Sequence, residues 1–139
     1  MRIYQGVDLV EVGRLRETYE RREAFGREIF TEAESSYCLA RPDPYPHFAA
    51  RFAVKEACLK AFGVGMGGLG LGATGRLREI EVEPTPSGKP TLRFHGSVEQ
   101  MSRRRRIRQA TVSISHAGGF AVATVVLLGE EGPPEEGDA

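Results

Sequence analysis

The 139-residue chain carries 19 basic and 19 acidic side chains, so its zero formal net charge indicates neither a nucleic-acid nor a membrane partner. Apolar residues make up 40% of the chain and charged residues 27%, which is typical of one globular domain with a sizeable core. Two cysteines are too few for a disulfide framework or a metal-ligand set, and the first residues lack the apolar core of a signal peptide, so we expect a cytoplasmic protein with buried thiols.

The first half of the chain has the pattern of one strand followed by three helices. The strand is short and rich in β-forming side chains, and the first helix repeats apolar residues at helical spacing. The second helix begins at a capping box formed by Thr31 and Glu34. We predict a strand over residues 3–10, helices over 11–23, 31–40 and 47–62, and a proline-rich loop over 41–46.

The second half has the pattern of two hairpins separated by a short helix. Residues 63–75 contain seven glycines, which predicts a mobile loop without regular structure. The last strand is apolar on both faces, so we expect it to be buried on both. We predict strands over residues 78–82, 91–94, 111–115 and 120–128, a helix over 97–106, and a disordered acidic tail over 129–139.

The order of these elements predicts the fold class. A strand, three helices, a hairpin, a helix and a second hairpin indicate an α+β domain with an antiparallel sheet rather than a wound parallel one. We assign residues 1–128 to this single domain.

The predicted helix 47–62 is apolar nearly all round, yet it carries four charged residues, Arg51, Lys55, Glu56 and Lys60. Glu56 and Lys60 are spaced for an exposed i,i+4 ion pair. Lys55 lies in the phenylalanine stripe, where it could bury its stem and extend its ammonium into water. The other interpretation is functional, because charges beside apolar surface need partners: a metal ion for Glu56 and phosphates for the cations.

Four further residues likewise allow either a structural or a functional interpretation. Asp8, near the end of the first strand, is either an edge or helix-cap carboxylate or a ligand for a hard metal such as Mg²⁺. His116, at the end of strand 111–115, is either structural or functional. Gly63 and Gly65 either stop the helix or offer amide groups to phosphate.

Arginines form two groups, one from Arg14 to Arg27 and one from Arg103 to Arg106. Each group can be a solvated helix surface. The first also suits an acidic protein partner. The second could bind nucleic acid, but the zero net charge and the lack of interleaved aromatic residues count against that function.

Four stretches occur together: GVDLVEVGRL (6–15), ARFAVKEACLKAFGVG (50–65), PSGKP (86–90) and SISHAGGFAVATVV (113–126). In order and spacing they resemble the holo-acyl-carrier-protein synthases, the small 4′-phosphopantetheinyl transferases. The resemblance implies transfer of the phosphopantetheine arm of coenzyme A to a serine of an apo acyl carrier protein, which supports fatty acid or polyketide synthesis.

The resemblance also implies roles for single residues. Asp8 and Glu56 would be Mg²⁺ ligands, Lys60 would contact the diphosphate, and Glu56 acting through a metal-bound water would be the base. The implied contacts to coenzyme A are Arg51 and His116 near the 3′-phosphate, Gly63 and Gly65 after the helix, and Gly88, Lys89 and Pro90 near the adenine. Arg14 and Arg21 would dock the carrier protein.

Family members form trimers with sites between subunits, so the resemblance implies the same here. Two positions depart from the family pattern. Val64 and Ala117 stand where the family commonly has threonine or another polar residue, so a hydroxyl contact is absent at both places. The leading alternative is a homologue that binds coenzyme A without transferring it, against which the retention of Asp8, Glu56 and Lys60 counts.

Overall fold

The structure, a computed structural model, describes residues 1–64 and 72–132, and for residues 72–74 it describes the backbone only. The elements are β1 (Arg2–Glu11), α1 (Val12–Arg21), α2 (Phe25–Ile29), α3 (Glu32–Leu39), α4 (Tyr45–Ala61), α5 (Gly72–Arg78), β2 (Ile80–Glu83), β3 (Thr91–Phe94), α6 (Gly96–Arg104), β4 (Ile107–Ala117) and β5 (Phe120–Gly129).

The strands form two antiparallel sheets, which confirms the predicted α+β class. The larger sheet has the order β1-β5-β4, and the smaller one pairs β2 with β3. In the larger sheet Asp8 pairs with Ala123, which in turn pairs with Ile114. The β4–β5 hairpin turns at Gly118 and Gly119, which both have positive φ.

Helix α4 packs on the larger sheet and forms the centre of the core. Ala53, Ala57 and Ala61 are buried, and their small side chains allow the helix backbone to approach the strands closely. The predicted capping box is confirmed: the Thr31 hydroxyl accepts from the Glu34 amide, and the Glu34 carboxylate accepts from the Thr31 amide. Cys38 and Cys58 are buried free thiols, as predicted.

Several sequence predictions were wrong at element boundaries. Helix α4 begins at Tyr45 rather than at residue 47, because Pro46 occupies the first turn, where its missing N–H costs nothing. Helix α2 was not predicted, and Arg78 ends a helix instead of starting a strand. The predicted glycine-rich loop is wrong from Gly72 onward, since α5 begins there. Residues 65–71 of that loop and 133–139 of the predicted tail lie outside the described residues.

The prediction that β5 is buried on both faces is wrong for the single chain, in which only one face of the strand is buried. The face toward α4 buries Ala121, Ala123, Val125 and Leu127 completely or nearly so. On the opposite face of the sheet, Val122, Val126 and Leu128 of β5 are only half-buried. The β1 and β5 residues of that face also include four exposed large apolar side chains, those of Ile3, Val7, Leu9 and Phe120. Among the described residues, no helix is long and apolar enough to cross a bilayer.

Candidate functional site

Asp8 and Glu56, which the family resemblance assigns as metal ligands, line the same cleft. The cleft has a volume of about 390 Å³ and lies between the end of β1, α1 and α4. Asp8 faces α4 because it alternates with the exposed residues of β1, and Glu56 projects from the middle of α4. The other lining residues are Leu9, Val10, Glu11, Arg14, Leu15, Thr18, Phe25, Phe52 and Phe120.

Glu56 is a buried carboxylate whose negative charge is only partly stabilised by its neighbours. Its side chain accepts no hydrogen bond from any described residue, and the residue is only 5% exposed. Burial, and secondarily the charge of Asp8, raise the pKa of Glu56 to about 7, while the Lys60 ammonium opposes that rise. This carboxylate would be stabilised by a cation entering the cleft.

Lys60 pairs with Asp8 instead of Glu56. Its ammonium donates to Asp8 Oδ1 at 2.9 Å and to the Val7 carbonyl oxygen at 3.0 Å. The interpretation of Glu56 and Lys60 as an exposed i,i+4 pair is therefore wrong, because Glu56 is buried and Lys60 reaches across to β1. The three side chains of the predicted catalytic set do meet at one place.

Lys55 neither extends into water nor faces the cleft. It is completely buried, and its ammonium donates to Glu34 Oε1 at 2.7 Å and to the carbonyl oxygens of Leu77 and Ile80 at 2.9 and 2.6 Å. The prediction that its ammonium reaches solvent is wrong. Sequence reasoning could not locate Glu34, which lies 21 residues earlier.

Arg51 and His116 belong to a second group of cations, at the start of α4. Arg51 is 7% exposed, and its Nε is buried without a hydrogen-bond partner in the described parts of the chain. Its guanidinium lies 4.2 Å from the ring centroid of Tyr37. His116 lines a cavity together with His47, and burial, Arg51, Arg41 and His116 all lower the pKa of His47.

Sequence reasoning missed Arg41 and His47, which belong to this second group, and Tyr37, whose ring lies against it. Arg41 lies over the same Tyr37 ring at 4.1 Å from its centroid. The available signal was the pair of cationic residues that flank the prolines before the helix. An incompletely satisfied buried guanidinium among other cations favours an anionic ligand.

The structure gives less support to the remaining predicted contacts to coenzyme A. Gly88, Lys89 and Pro90 lie at the exposed β2–β3 turn, and Gly88 has φ of 85°. The Gly63 amide donates to the Lys60 carbonyl oxygen, as a helix stop requires, so a phosphate contact there stays a prediction. Gly65 lies outside the described residues.

Arg14 and Arg21 lie on α1 and make no ion pair with any described residue. Arg14 lines the cleft beside Asp8 and Glu56. Arg21 is exposed in the last turn of the helix. Neighbouring charges of α1 are paired within the chain, as in the Arg16–Glu20 contact at 3.3 Å. The two predicted docking residues are thus available to an outside partner.

The residues of the cleft fit a magnesium ion in part. No group of three or more carboxylate, histidine or cysteine side chains gathers in residues 1–64 and 72–132. Two carboxylates are nevertheless enough when phosphates and waters complete the octahedral coordination that Mg²⁺ prefers. The unsatisfied Glu56 carboxylate beside Asp8 supplies such a pair.

Comparison with known proteins identifies the family. The family model described as the 4′-phosphopantetheinyl transferase superfamily matches residues 5–125. The chain belongs to this family. It is 42% identical over 123 residues to a holo-[acyl-carrier-protein] synthase of Koribacter versatilis, which covers 88% of this chain and 94% of the relative. It is 44% identical to another from Herpetosiphon aurantiacus over 126 residues, covering 89% and 97%.

Solved structures agree with this assignment. An ACPS–CoA complex from Chronobacterium ammoniagenes superposes with a TM-score of 0.80 and 27% identity, covering 94% of this chain and all of that one. The Helicobacter pylori holo-[acyl-carrier-protein] synthase in complex with coenzyme A gives 0.71 and 27%, covering 89% and 99%. The predicted family and enzyme class, a phosphopantetheinyl transferase, are therefore confirmed.

Proposed function

We propose that this enzyme transfers the 4′-phosphopantetheine group of coenzyme A to a serine of an apo acyl carrier protein, with Mg²⁺, in the cytoplasm, for fatty acid or polyketide synthesis. The serine oxygen forms a new bond to the phosphorus of the pantetheine phosphate. The diphosphate P–O bond breaks, adenosine 3′,5′-bisphosphate leaves, and the serine loses its proton. The observation that carries the proposal is that Asp8 and Glu56 line one cleft while the Lys60 ammonium donates to Asp8.

Asp8 and Glu56 would hold the magnesium ion. When bound, the ion supplies charge neutralisation for the diphosphate and for the oxygen that leaves. Glu56 favours a cation because burial and the neighbouring Asp8 make its own charge unfavourable. The family motif also assigns Glu56 as the base, with the serine proton passing to it through a water held in the same cleft.

Lys60 would bind the diphosphate from the exposed side of the cleft. Its ammonium is held on Asp8 and on the Val7 carbonyl oxygen, and its side chain is 37% exposed. A flexible, compact cation at this place can turn toward an incoming phosphate and stabilise the charge that develops on the leaving group. Chemistry of this type depends mostly on positioning and charge stabilisation.

The cation group of Arg51 and His116 would bind the 3′-phosphate of coenzyme A. The Arg51 Nε is buried without a partner in the described parts of the chain. The pKa of His47 is lowered first by burial and then by the charges of Arg51 and Arg41, which lie in the same group. Gly88, Lys89 and Pro90 at the β2–β3 turn would lie near the adenine, and Gly63 and Gly65 near the phosphates. These assignments rest on the family motifs.

We further propose a homotrimer with sites between subunits. Ile3, Val7 and Leu9 are each more than half exposed on one face of β1, and Phe120 adds a fourth apolar side chain on β5. An apolar sheet face of this kind is typical of a surface that another protein covers. A second copy of the chain would bury this face and bring the cation group of one subunit toward the cleft of another.

The direct test is mass spectrometry of an apo acyl carrier protein incubated with the enzyme, coenzyme A and Mg²⁺. We expect a gain equal to the phosphopantetheine mass and no gain after the metal is chelated. Glu56→Gln should abolish the gain while coenzyme A still binds, and a Glu56→Gln enzyme with full turnover would contradict the role as base and ligand. Binding of coenzyme A by the wild type without transfer would favour the inactive-homologue alternative.

A further inference from the structure

Lys55 and Glu34 form a buried ion pair that the reaction does not use. Both side chains are essentially inaccessible, with 0% and 1% exposed, and their charged atoms lie 2.7 Å apart. A buried ion pair often contributes little net stability, because removing two charges from water costs about as much as their attraction returns. Stability alone therefore does not explain why this ion pair lies next to the cleft that would hold the metal ion.

The hydrogen bonds of this pair join four secondary-structure elements. Lys55 uses all three of its donors, on Glu34, the Leu77 carbonyl and the Ile80 carbonyl. The Glu34 carboxylate also accepts from the amides of Thr31 and Val82 at 2.9 Å each. The pair thus ties the middle of α4 to the start of α3, the end of α5 and strand β2.

Directional bonds of this kind fix the rotation of α4. An apolar side chain at position 55 could slide or turn within its pocket, whereas an ammonium with three fixed acceptors has one orientation. Glu56 follows Lys55 directly, and consecutive helical residues point about 100° apart. The bonds that hold Lys55 against α3, α5 and β2 therefore also set where the Glu56 carboxylate enters the cleft on the adjacent face of α4.

The effect is geometric rather than electrostatic. The groups whose charges perturb the pKa of Glu56 are Asp8 and Lys60, and Lys55 is not among them. We propose that the Lys55–Glu34 ion pair positions Glu56 for the metal ion that it would share with Asp8. Lys55 and Glu34 are therefore positioning residues, and this inference rests on the function proposed above.

The test replaces both charges at once. In Lys55→Met/Glu34→Gln no buried charge is left unpaired, and the glutamine oxygen can still accept from the Thr31 amide. The Val82 amide and the carbonyl oxygens of Leu77 and Ile80 lose a partner, so the variant should be less stable, and circular dichroism first checks that it is folded. Mn²⁺ binding is measured by electron paramagnetic resonance with coenzyme A present and carrier protein absent. We expect affinity to fall about tenfold, as for other residues that orient metal ligands, with KM for the carrier protein unchanged. Higher Mg²⁺ should recover kcat.

Val54→Ala is the matched control, because Val54 is fully buried in the same helix and outside the ion-pair network. It lowers stability by opening a cavity and should leave Mn²⁺ affinity unchanged well below its unfolding temperature. Equal losses of Mn²⁺ affinity in the control and the double variant would overturn the proposal. So would a folded double variant with wild-type affinity.

If the double variant does not fold, Glu34→Gln alone decides the question. Its remaining oxygen can still accept from the Thr31 amide and from Lys55. The carboxylate charge that pairs with Lys55 is lost, and so is the acceptor of the Val82 amide. The tie is weakened but not removed, so we expect a smaller loss of Mn²⁺ affinity, and an unchanged affinity would overturn the proposal. Failure of the wild type to bind Mn²⁺ or to modify the carrier protein would instead contradict the proposed function itself.

Discussion

Gly6 of β1 lies directly against the backbone of α4 at Ala57. A Cβ atom added to Gly6 would stand 2.0 Å from the Ala57 carbonyl oxygen and 2.8 Å from the Ala61 amide nitrogen. No side chain fits there, so the strand and the helix backbones approach each other closely at this point. Asp8 lies two residues beyond Gly6, and Glu56 immediately precedes Ala57. The close approach of the two backbones is therefore what places both carboxylates in one cleft.

Gly6→Ala should push α4 away from β1. Because the clash is with backbone atoms, which cannot rotate away, we expect a loss of about 2–4 kcal/mol in the free energy of unfolding and a large loss of turnover. Gly13→Ala is the control, since a Cβ at Gly13 meets nothing within 4 Å and helix α1 tolerates alanine. Urea denaturation of both variants checks the expectation, and equal stabilities would contradict it.

The sequence could predict the elements that hold the site, but only part of how they meet. Asp8 near a strand end and Glu56 in an apolar helix were recognisable because each lies in a strongly patterned segment. The capping box at Thr31 was readable because both partners are three residues apart. The close contact at Gly6 was not, since nothing local to a strand glycine shows which helix will approach it.

Long-range charge pairing was the least predictable part. Lys55 and Lys60 are five residues apart on one helix, and for each the sequence allowed an ammonium exposed to water. Lys55 is instead buried against Glu34, and Lys60 reaches Asp8. Their partners lie 21 and 52 residues away along the chain. Which charge is structural and which faces the cleft depends on tertiary packing. The sequence likewise could not predict the exposed apolar sheet face, because a strand that is apolar on both faces was expected to be buried on both within one chain.

Glu56 should make the stability of the metal-free protein depend on pH. Its folded-state pKa of about 7 lies above the ordinary value of 4.5, so the folded state binds the extra proton between these values. The free energy of unfolding therefore loses on the order of 3 kcal/mol from this group as pH rises through that window. Glu56→Gln removes the loss.

We accordingly expect Glu56→Gln to match the wild type near pH 4 and to exceed it near pH 8, in chelator, by urea denaturation. Saturating Mg²⁺ should reduce the advantage, because the ion compensates the wild-type carboxylate. A difference between the two proteins that is the same at both pH values would contradict the assignment of the raised pKa to Glu56.

Arg14 and Arg21 should affect carrier-protein binding more than chemistry. Arg14→Ala and Arg21→Ala each remove an unpaired cation from α1, and we expect the KM for the carrier protein to rise several-fold, with a weaker dependence on salt. Arg103→Ala is the control, because Arg103 is an exposed arginine of α6 paired with Glu99. Steady-state kinetics at two salt concentrations check this, and an equal effect of the control would assign the change to overall charge.

The exposed sheet face should govern oligomeric state. Val7→Asp places a charge at the centre of that face, and we expect the trimer to dissociate in sedimentation velocity at micromolar concentration. Leu39→Asp is the control, since Leu39 is similarly exposed, 58% against 53% for Val7, but lies on α3. A wild type that sediments as a stable monomer would contradict the proposed assembly.

Shared sites make a sharper prediction than assembly alone. Glu56→Gln removes the metal half of a site, and Arg51→Ala/His116→Ala removes the phosphate half. If each site takes its halves from two neighbouring subunits, coexpression of the two inactive variants restores some sites with both halves intact. Random mixing in equal amounts should return about a quarter of wild-type activity in the whole mixture, as expected for independent occupation of two adjoining positions in a ring. Trimers that contain both variants should show about a third, because each has one complete site out of three. If each subunit held its own complete site, the mixed oligomers purified through a different tag on each variant would be as inactive as either variant alone.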